Sequence, residues 1–226
     1  MPCPESVEKF GSPLSIAIRH GQRTSADLFL AGSVFSDVNT LGGEFHTPLH
    51  AAARWLPGIV PRLLALGADA RETGGTFGTP LHAAAYAKDM GNMRLLLEGA
   101  GADAAVVAGK YGSAMQAAAK ENAVVNGGFA SGCASVRAMQ LLKEHGAQVT
   151  AVGGKYHTAL HMAVKSGNFE GFRWLLENGA DPHIEGGKFG TILKAATRES
   201  KVRYDIISYL EQHIFKDTKA DLNFDD

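Results

Sequence analysis

A seven-residue segment that recurs six times constrains this chain more than any other feature. Each copy begins with Ser or Thr and continues with apolar residues, and two copies read TPLHAAA. The copies are spaced 35, 32, 34, 45 and 33 residues apart and begin at Ser12, Thr47, Thr79, Ser113, Thr158 and Thr191. Ser or Thr caps a helix by accepting a backbone N–H bond, and proline at the next position has a φ that is already helical. The segment therefore predicts the start of a short helix, whose alanines let a neighbouring helix approach closely.

A second apolar helix is predicted between each copy and the next. The glycines that can end this helix are Gly67, Gly101, Gly146 and Gly179. Ten residues before the caps of copies two to six stand Asp37, Asp69, Asp103, Gln148 and Asp181. No unit can bury its own apolar face, so we expect each to stack on both neighbours. The leucines of the second helices are expected to hold the units together, so truncating Leu96 or Leu176 to Ala is expected to cost about 2–5 kcal/mol wherever the side chain is fully buried.

A period close to 33 residues with a T-P-L-H-x-A core is typical of the ankyrin repeat. The chain resembles the ankyrin family over roughly residues 11–215. The resemblance implies an all-α solenoid of about six helix–turn–helix repeats with short β-turn fingers and no extended sheet. We expect residues 1–10 to be an N-terminal extension and residues 216–226 a disordered acidic tail. The long fourth step predicts an insertion at about 122–133, between the two helices of the fourth repeat.

The segments before the caps, which we call fingers, depart from the general ankyrin pattern. They read GGEFHT, GGTFGT, AGKYGS, GGKYHT and GGKFGT, with an aromatic residue at Phe45, Phe77, Tyr111, Tyr156 and Phe189, where a glycine is usual. This GG-K-aromatic-G-T pattern is similar to ankyrin arrays of large fungal NACHT-type signalling proteins. The similarity implies a recognition or sensor array and leaves open whether the chain is a fragment of a larger protein. Rings at one-repeat spacing predict a structural stack between fingers, and a ligand platform is the alternative.

Composition restricts the partners and the compartment. The formal net charge of −1 argues against bulk attraction to nucleic acid or to an anionic membrane. Only two cysteines, Cys3 and Cys133, are present, which favours a reducing compartment. The first ten residues lack an apolar signal core, and no apolar run approaches the ~18 residues that a membrane span needs. We therefore predict a cytoplasmic or nuclear protein.

The histidines in each of the pairs His46/His50 and His157/His161 are four residues apart, a spacing that suggests a zinc site. Two histidines share a face at this spacing only when both lie in the helix, but His46 and His157 precede the caps Thr47 and Thr158. No third ligand is phased with either pair. We therefore expect no metal site. His50, His82 and His161 occupy the histidine position of the repeat, where the imidazole is expected to bridge neighbouring turns.

No known catalytic motif is complete in the sequence. The GGK sequences at 153–155 and 186–188 lack the first glycine of the Walker pattern and the Ser or Thr that follows its lysine. Cys133 has no phased histidine partner. No G-x-S-x-G nucleophile elbow is present. The sequence therefore predicts no enzyme activity and no cofactor.

A row of cations is the candidate site. Seven residues after the caps stand Arg19, Arg54, Lys120, Lys165 and Arg198, and the residue before the finger aromatic adds Lys110, Lys155 and Lys188. We call these eight residues the basic row. Trp55 and Tyr86 lie toward its N-terminal half, and Trp, Tyr and Arg are the usual anchors of interfaces. In ankyrin arrays these positions line a concave groove, so the resemblance implies a partner-binding surface. The alternative is that Lys and Arg merely fill helix ends that face water.

Three hypotheses for function follow. The first is a non-catalytic protein-interaction scaffold whose concave face binds an acidic segment of another protein. The second is a sensor or regulatory segment of a larger nucleotide-switched assembly. The third, which the net charge disfavours, is binding of nucleic acid or phosphoinositide by the basic row; it predicts binding that falls steeply with added salt. The sequence leaves the oligomeric state open.

Overall fold

Twelve α-helices in six consecutive pairs make up most of the described part of the chain. The computed structural model describes residues 11–32, 38–121, 131–188, 190–197 and 204–214. The predicted extension (1–10) and tail (216–226) lie outside the described residues, as does most of the predicted insertion. The last three residues of that insertion, 131–133, form the first turn of a helix.

The first helix of each pair, here the inner helix, follows the recurring segment. The inner helices are α1 (Pro13–Arg19), α3 (Pro48–Trp55), α5 (Pro80–Ala87), α7 (Ala114–Ala119), α9 (Ala159–Ser166) and α11 (Ile192–Thr197). The outer helices are α2 (Arg23–Ala31), α4 (Val60–Ala65), α6 (Met90–Arg94), α8 (Ser131–Glu144), α10 (Phe169–Glu177) and α12 (Tyr204–His213). A 3₁₀ turn at Pro57–Ile59 precedes α4, and a π turn at Leu95–Gly99 continues α6.

Every inner helix begins at the predicted cap. The hydroxyl of each Ser or Thr accepts a hydrogen bond from the backbone N–H three residues later, at 3.2 to 3.4 Å. This bond satisfies one of the N–H groups that a helix N-terminus leaves unpaired. In the fourth unit Gln116 completes a capping box by accepting from the Ser113 N–H at 2.8 Å. The predicted helix starts are confirmed.

The inner helices stack on one another in chain order. Each packs against the inner helix before it and after it. Their central alanines, Ala51–Ala53, Ala83–Ala85 and Ala117–Ala119, are all fully buried. Because alanine adds only a methyl group, the helix backbones approach closely and fill the space between units.

The outer helices α6, α8, α10 and α12 also contact their neighbours in order. Leu96 is fully buried between them. Leu176 is only partly buried, and Phe172 and Leu175 are the fully buried residues of α10. The full burial on which the expected cost of truncation depends is therefore met at Leu96 but not at Leu176, because the phase of α10 turns Leu175 rather than Leu176 toward the core.

The fingers are narrow β-turns joined to one another through the backbone. In the fourth unit the finger forms the antiparallel pair β1 (Val107–Ala108) and β2 (Gly112–Ser113), and single bridges occur at the same place in three other fingers. The N–H of Thr76 donates to Glu44 O at 3.0 Å, Lys110 N–H to Thr76 O at 2.9 Å, and Lys155 N–H to Lys110 O at 2.9 Å. The finger tips are therefore tied to one another from unit to unit.

The second glycine of each finger allows this close approach. Gly75, for example, has φ +61, and a Cβ there would lie 2.7 Å from Glu44 O of the preceding finger. A Cβ on Gly154 would lie 2.4 Å from Gly112 N. Both the left-handed φ and the neighbouring backbone exclude a side chain. The glycine pair therefore stands early in each finger because two backbones meet there.

Candidate functional site

The fingers carry a column of aromatic rings. Phe45, Phe77 and Tyr111 are buried. The Phe77 and Tyr111 rings stack with centroids 5.6 Å apart, and the Tyr111 and Tyr156 rings stack at 6.4 Å. These distances are typical of favourable ring pairs. The predicted structural stack is confirmed for Phe77, Tyr111 and Tyr156, while Phe189 lies outside the described residues.

Two rings from the inner helices join this column. Trp55 at the end of α3 lies edge-on to Phe45, with centroids 4.2 Å apart. Tyr86 in α5 lies 5.4 Å from the Phe77 ring and 5.1 Å from the Tyr111 ring. Both side chains are half-buried. The two predicted anchors therefore pack against the finger column and leave only part of each ring open to a partner.

Cations of the basic row lie over these rings. The guanidinium carbon of Arg19 is 5.3 Å from the Phe45 centroid, and Arg19 also lies 3.9 Å from Glu44. The Arg54 guanidinium carbon is 4.8 Å from the centroid of Tyr86, and Lys110 Nζ lies 6.0 Å from that of Tyr111. Each such contact stabilises the cation by about 0.5 to 2 kcal/mol, depending on exposure. The rings therefore hold part of the row in place.

Lys120 completes the contacts around Tyr86. Its Nζ donates a hydrogen bond to Tyr86 Oη at 2.9 Å and lies 4.7 Å from the ring centroid. Burial on its own would raise the pKa of Tyr86. The hydrogen bond and charge of Lys120, a hydrogen bond with Tyr111 and the charge of Arg54 outweigh burial and lower that pKa. The surroundings of this phenol are therefore strongly positive.

The rest of the row is reachable from solvent. Lys110, Lys155 and Lys188 are exposed at the finger tips, and Lys165 is partly exposed at the end of α9. Arg198 lies outside the described residues. Two carboxylates lie among these positions: Glu44 precedes Phe45, as Lys110 precedes Tyr111 in a later finger, and Glu121 directly follows Lys120. The predicted site residues in the described ranges thus occupy the finger tips and the inner-helix ends, with cations in excess.

Lys88 was not predicted and lies close to this group. It ends α5 with φ +60, at the position where Gly21 and Gly167 stand in other units with φ +67 and +77. Its Nζ donates to Ala117 O at 3.2 Å and to Ala85 O at 3.4 Å. Burial lowers the pKa of Lys88 to about 7, against the opposing charge of Glu121. A lysine at a position that favours glycine was the available sequence signal.

The histidine pairs do not converge on a common point. His46 and His157 both lie in turns with φ +71, as predicted. His46 Nε2 lies 3.1 Å from a Glu72 carboxylate oxygen, while His50 Nε2 faces Gly78 O of the next unit at 3.4 Å. Within the described ranges, no three His, Cys, Asp or Glu side chains come close enough to hold a metal ion.

The GGK sequences form finger turns. The turn that contains Lys155 is closed by an antiparallel bridge between Gly153 and His157, and the turn with Lys188 by one between Gly186 and Gly190. A Walker loop would instead connect a strand to a helix. Cys133 is exposed on α8.

Two shallow cavities lie on another face of the described chain. They have volumes of about 390 and 400 Å³ and share Ala70 and Arg71. Leu64 and Leu95 of the outer helices line the first. Arg71 Nε donates to Gly101 O at 3.2 Å across this region. Neither cavity is lined by a predicted site residue.

Comparison with known families identifies two stretches of the chain. Residues 128–186 match the model for ankyrin repeats (3 copies), and residues 78–107 match the model for a single ankyrin repeat. No curated protein matches the chain. None of the described helices is both long and apolar enough to cross a bilayer. Residues 78–107 and 128–186 are therefore similar to ankyrin repeats, a type of module that generally mediates protein–protein interaction.

Proposed function

We propose that residues 11–215 form a six-repeat ankyrin solenoid that acts as a non-catalytic protein-interaction scaffold. Its partner is an acidic segment of another protein, bound along the face that carries the finger tips and inner-helix ends. The binding residues are Arg19, Arg54, Trp55, Tyr86, Lys110, Lys120, Lys155, Lys165, Lys188 and Arg198.

One observation carries the proposal: cations recur along this face although the chain as a whole has a net charge of −1. Lys110, Lys155 and Lys188 stand at the same position of successive fingers and are exposed. The backbone bond from Lys155 N–H to Lys110 O, at 2.9 Å, fixes the spacing of two of them. A preordered row of like charges attracts an extended acidic segment and aligns it along the row.

The test compares two pairs of neutralised cations. Lys110→Gln with Lys155→Gln removes two cations from the finger tips. Arg94→Gln with Arg173→Gln removes two exposed cations from the side of the outer helices. Each of these arginines forms an exposed ion pair with the glutamate four residues later in the chain. The two double variants have the same net charge, so a difference between them reports location. The probe is a fluorescent poly-glutamate peptide, and its affinity is measured by anisotropy.

The finger-tip variant is expected to bind the peptide roughly 2- to 30-fold more weakly, since each exposed pair contributes about 0.2 to 1 kcal/mol. The outer-helix variant is expected to bind like the native chain. Equal losses in both variants would show a general charge effect and contradict the proposed face. If neither the native chain nor the variants bind the peptide, the proposal of an acidic partner is contradicted.

The other two hypotheses have separate tests. A nucleotide-binding module in the same reading frame would favour the NACHT-type sensor role, which the finger sequences alone suggest. Tight binding of duplex DNA or of phosphoinositide vesicles, falling steeply with added salt, would favour the third hypothesis.

A further inference from the structure

Two cations from different units converge on a single phenol within the basic row. The Arg54 guanidinium carbon and Lys120 Nζ lie 4.8 and 4.7 Å from the centroid of the Tyr86 ring. Arg54 belongs to α3 and Lys120 ends α7, the inner helices that pack on either side of α5. Because the potentials of two nearby positive charges add, this arrangement concentrates positive potential at one point of the face.

The charge of Arg54 is not cancelled by a carboxylate partner. Over the described ranges, no carboxylate forms an ion pair with Arg54. Burial is the main reason that the pKa of Lys88 is lowered; the charge of Glu121 raises this pKa, and the charges of Lys120 and Arg54 lower it further. Lys120 and Arg54 therefore both lie close enough to Lys88 to act on the same amine.

The donors around Tyr86 suit an oxyanion. Arginine presents a planar fork of N–H groups that can bind two oxygens of a phosphate or carboxylate, and lysine adds a compact point charge. Tyr111 is buried, and its hydrogen bond with Tyr86 helps to hold the phenol in place. Arg54, Tyr86 and Lys120 are each partly exposed, so a side chain from outside can reach them.

We propose that Arg54, Tyr86 and Lys120 form a receptor for a dianionic phosphate group carried on a side chain of the partner segment. The proposal rests on the proposed function, since the segment that brings the phosphate lies along the same face. A phosphorylated side chain carries a charge of about −1.5 to −2 at pH 7, which matches two cations, whereas a carboxylate neutralises one. The site therefore distinguishes a phosphorylated partner from a merely acidic one.

A matched pair of peptides tests the receptor. One is poly-glutamate, and the other has a single glutamate replaced by phosphoserine. The native chain is expected to bind the phosphopeptide about tenfold more tightly. Arg54→Gln is expected to abolish this gain. Lys155→Gln, which removes another cation of the row, is expected to weaken both peptides alike and keep the gain.

Equal affinity of the native chain for the two peptides would overturn the phosphate receptor and leave the acidic-segment function standing. A gain that survives Arg54→Gln would place the phosphate elsewhere and also overturn it. Circular dichroism of each variant checks that the fold is kept.

If the native chain binds neither peptide, the proposed function is contradicted. A titration of Tyr86 then still tests the phosphate receptor. The ionisation of Tyr86 is followed by ultraviolet absorbance in inorganic phosphate and in chloride at equal ionic strength, and Tyr86→Phe identifies its contribution. Bound phosphate adds negative charge beside the phenol, so the pH at which Tyr86 ionises is expected to rise. An identical titration in the two salts would overturn the receptor.

Discussion

At the scale of single residues, a buried imidazole joins the second, third and fifth units each to the unit that follows. His82 Nδ1 hydrogen-bonds the hydroxyl of its own cap Thr79, and its Nε2–H donates to Gly112 O of the next finger at 3.1 Å. His161 makes the same bridge to Gly190 O at 3.0 Å. An imidazole that accepts at one nitrogen and donates at the other is neutral. The histidine of the repeat therefore acts as a neutral bridge, as the sequence predicted.

The fourth unit makes the same bridge without histidine. Gln116 Nε2 donates to Gly153 O at 3.2 Å and to His157 O at 2.6 Å. An amide donates across the gap as the imidazole does, but it does not titrate. The fourth unit therefore shows that a glutamine can take the place of the histidine in this bridge.

This comparison yields a prediction for acid stability. Burial lowers the pKa of His82 to about 4, so between pH 6.5 and 4 the unfolded chain binds a proton that the folded chain excludes. The free energy of unfolding therefore falls as pH falls through this range, by on the order of 3 kcal/mol for this group. His82→Gln is expected to be less sensitive to pH, as measured by urea unfolding at pH 7 and pH 4. An equal loss in both proteins would contradict the neutral bridge.

Residue types at fixed spacing made these bonds predictable. The caps, the histidine bridges and the placement of His46 and His157 in turns all follow from local sequence. Lys88 was missed because nothing near it in sequence shows that its Nζ reaches Ala117 O, 29 residues later. Contacts of that kind depend on how two units stack.

At the scale of elements, the outer helices decide how strongly each unit is held. Phe172 and Leu175 of α10 are fully buried, whereas Trp174 and Leu176 pack only partly against the core. Residues 172–176 include four large apolar residues, which is more than one face of a helix can bury. The sequence therefore does not reveal which of them face inward. The helix was therefore predictable and its rotation was not.

This difference predicts unequal costs of truncation. Leu96→Ala removes a fully buried side chain and is expected to lower the free energy of unfolding by about 2 to 5 kcal/mol. Leu176→Ala removes a partly buried one, and its cost is expected to be roughly half of that or less. Urea unfolding of the two variants measures both costs. A larger loss for Leu176→Ala would contradict the observed rotation of α10.

The end of α6 shows another limit of the repeat pattern. Ala100 N–H donates to Leu95 O at 3.1 Å, a bond of the π type. The sequence EGAGAD stands where the second unit has LGAD, so the third unit holds extra residues before its finger. The helix takes them up by widening its last turn. Spacing alone predicted the helix and its glycine but did not predict this widened turn.

At the scale of the whole molecule, packing runs between neighbouring units. Inner helices contact inner helices, finger tips bond to finger tips, and the aromatic rings form a column across several units. The sequence predicted this arrangement because a repeated apolar face needs a copy of itself to cover it. It did not predict that Arg54, Tyr86 and Lys120 meet, since these residues come from three different units.

The most direct test of the account is to locate a bound acidic segment. A spin-labelled poly-glutamate peptide is added to the isotopically labelled chain, and the broadening of each backbone amide signal is measured. We expect broadening at the finger tips and inner-helix ends, including the amides of Thr76, Lys110, Lys120 and Lys155. Broadening concentrated instead on the outer helices, at Arg94 and Arg173, would contradict the claim that the face with the basic row binds the partner.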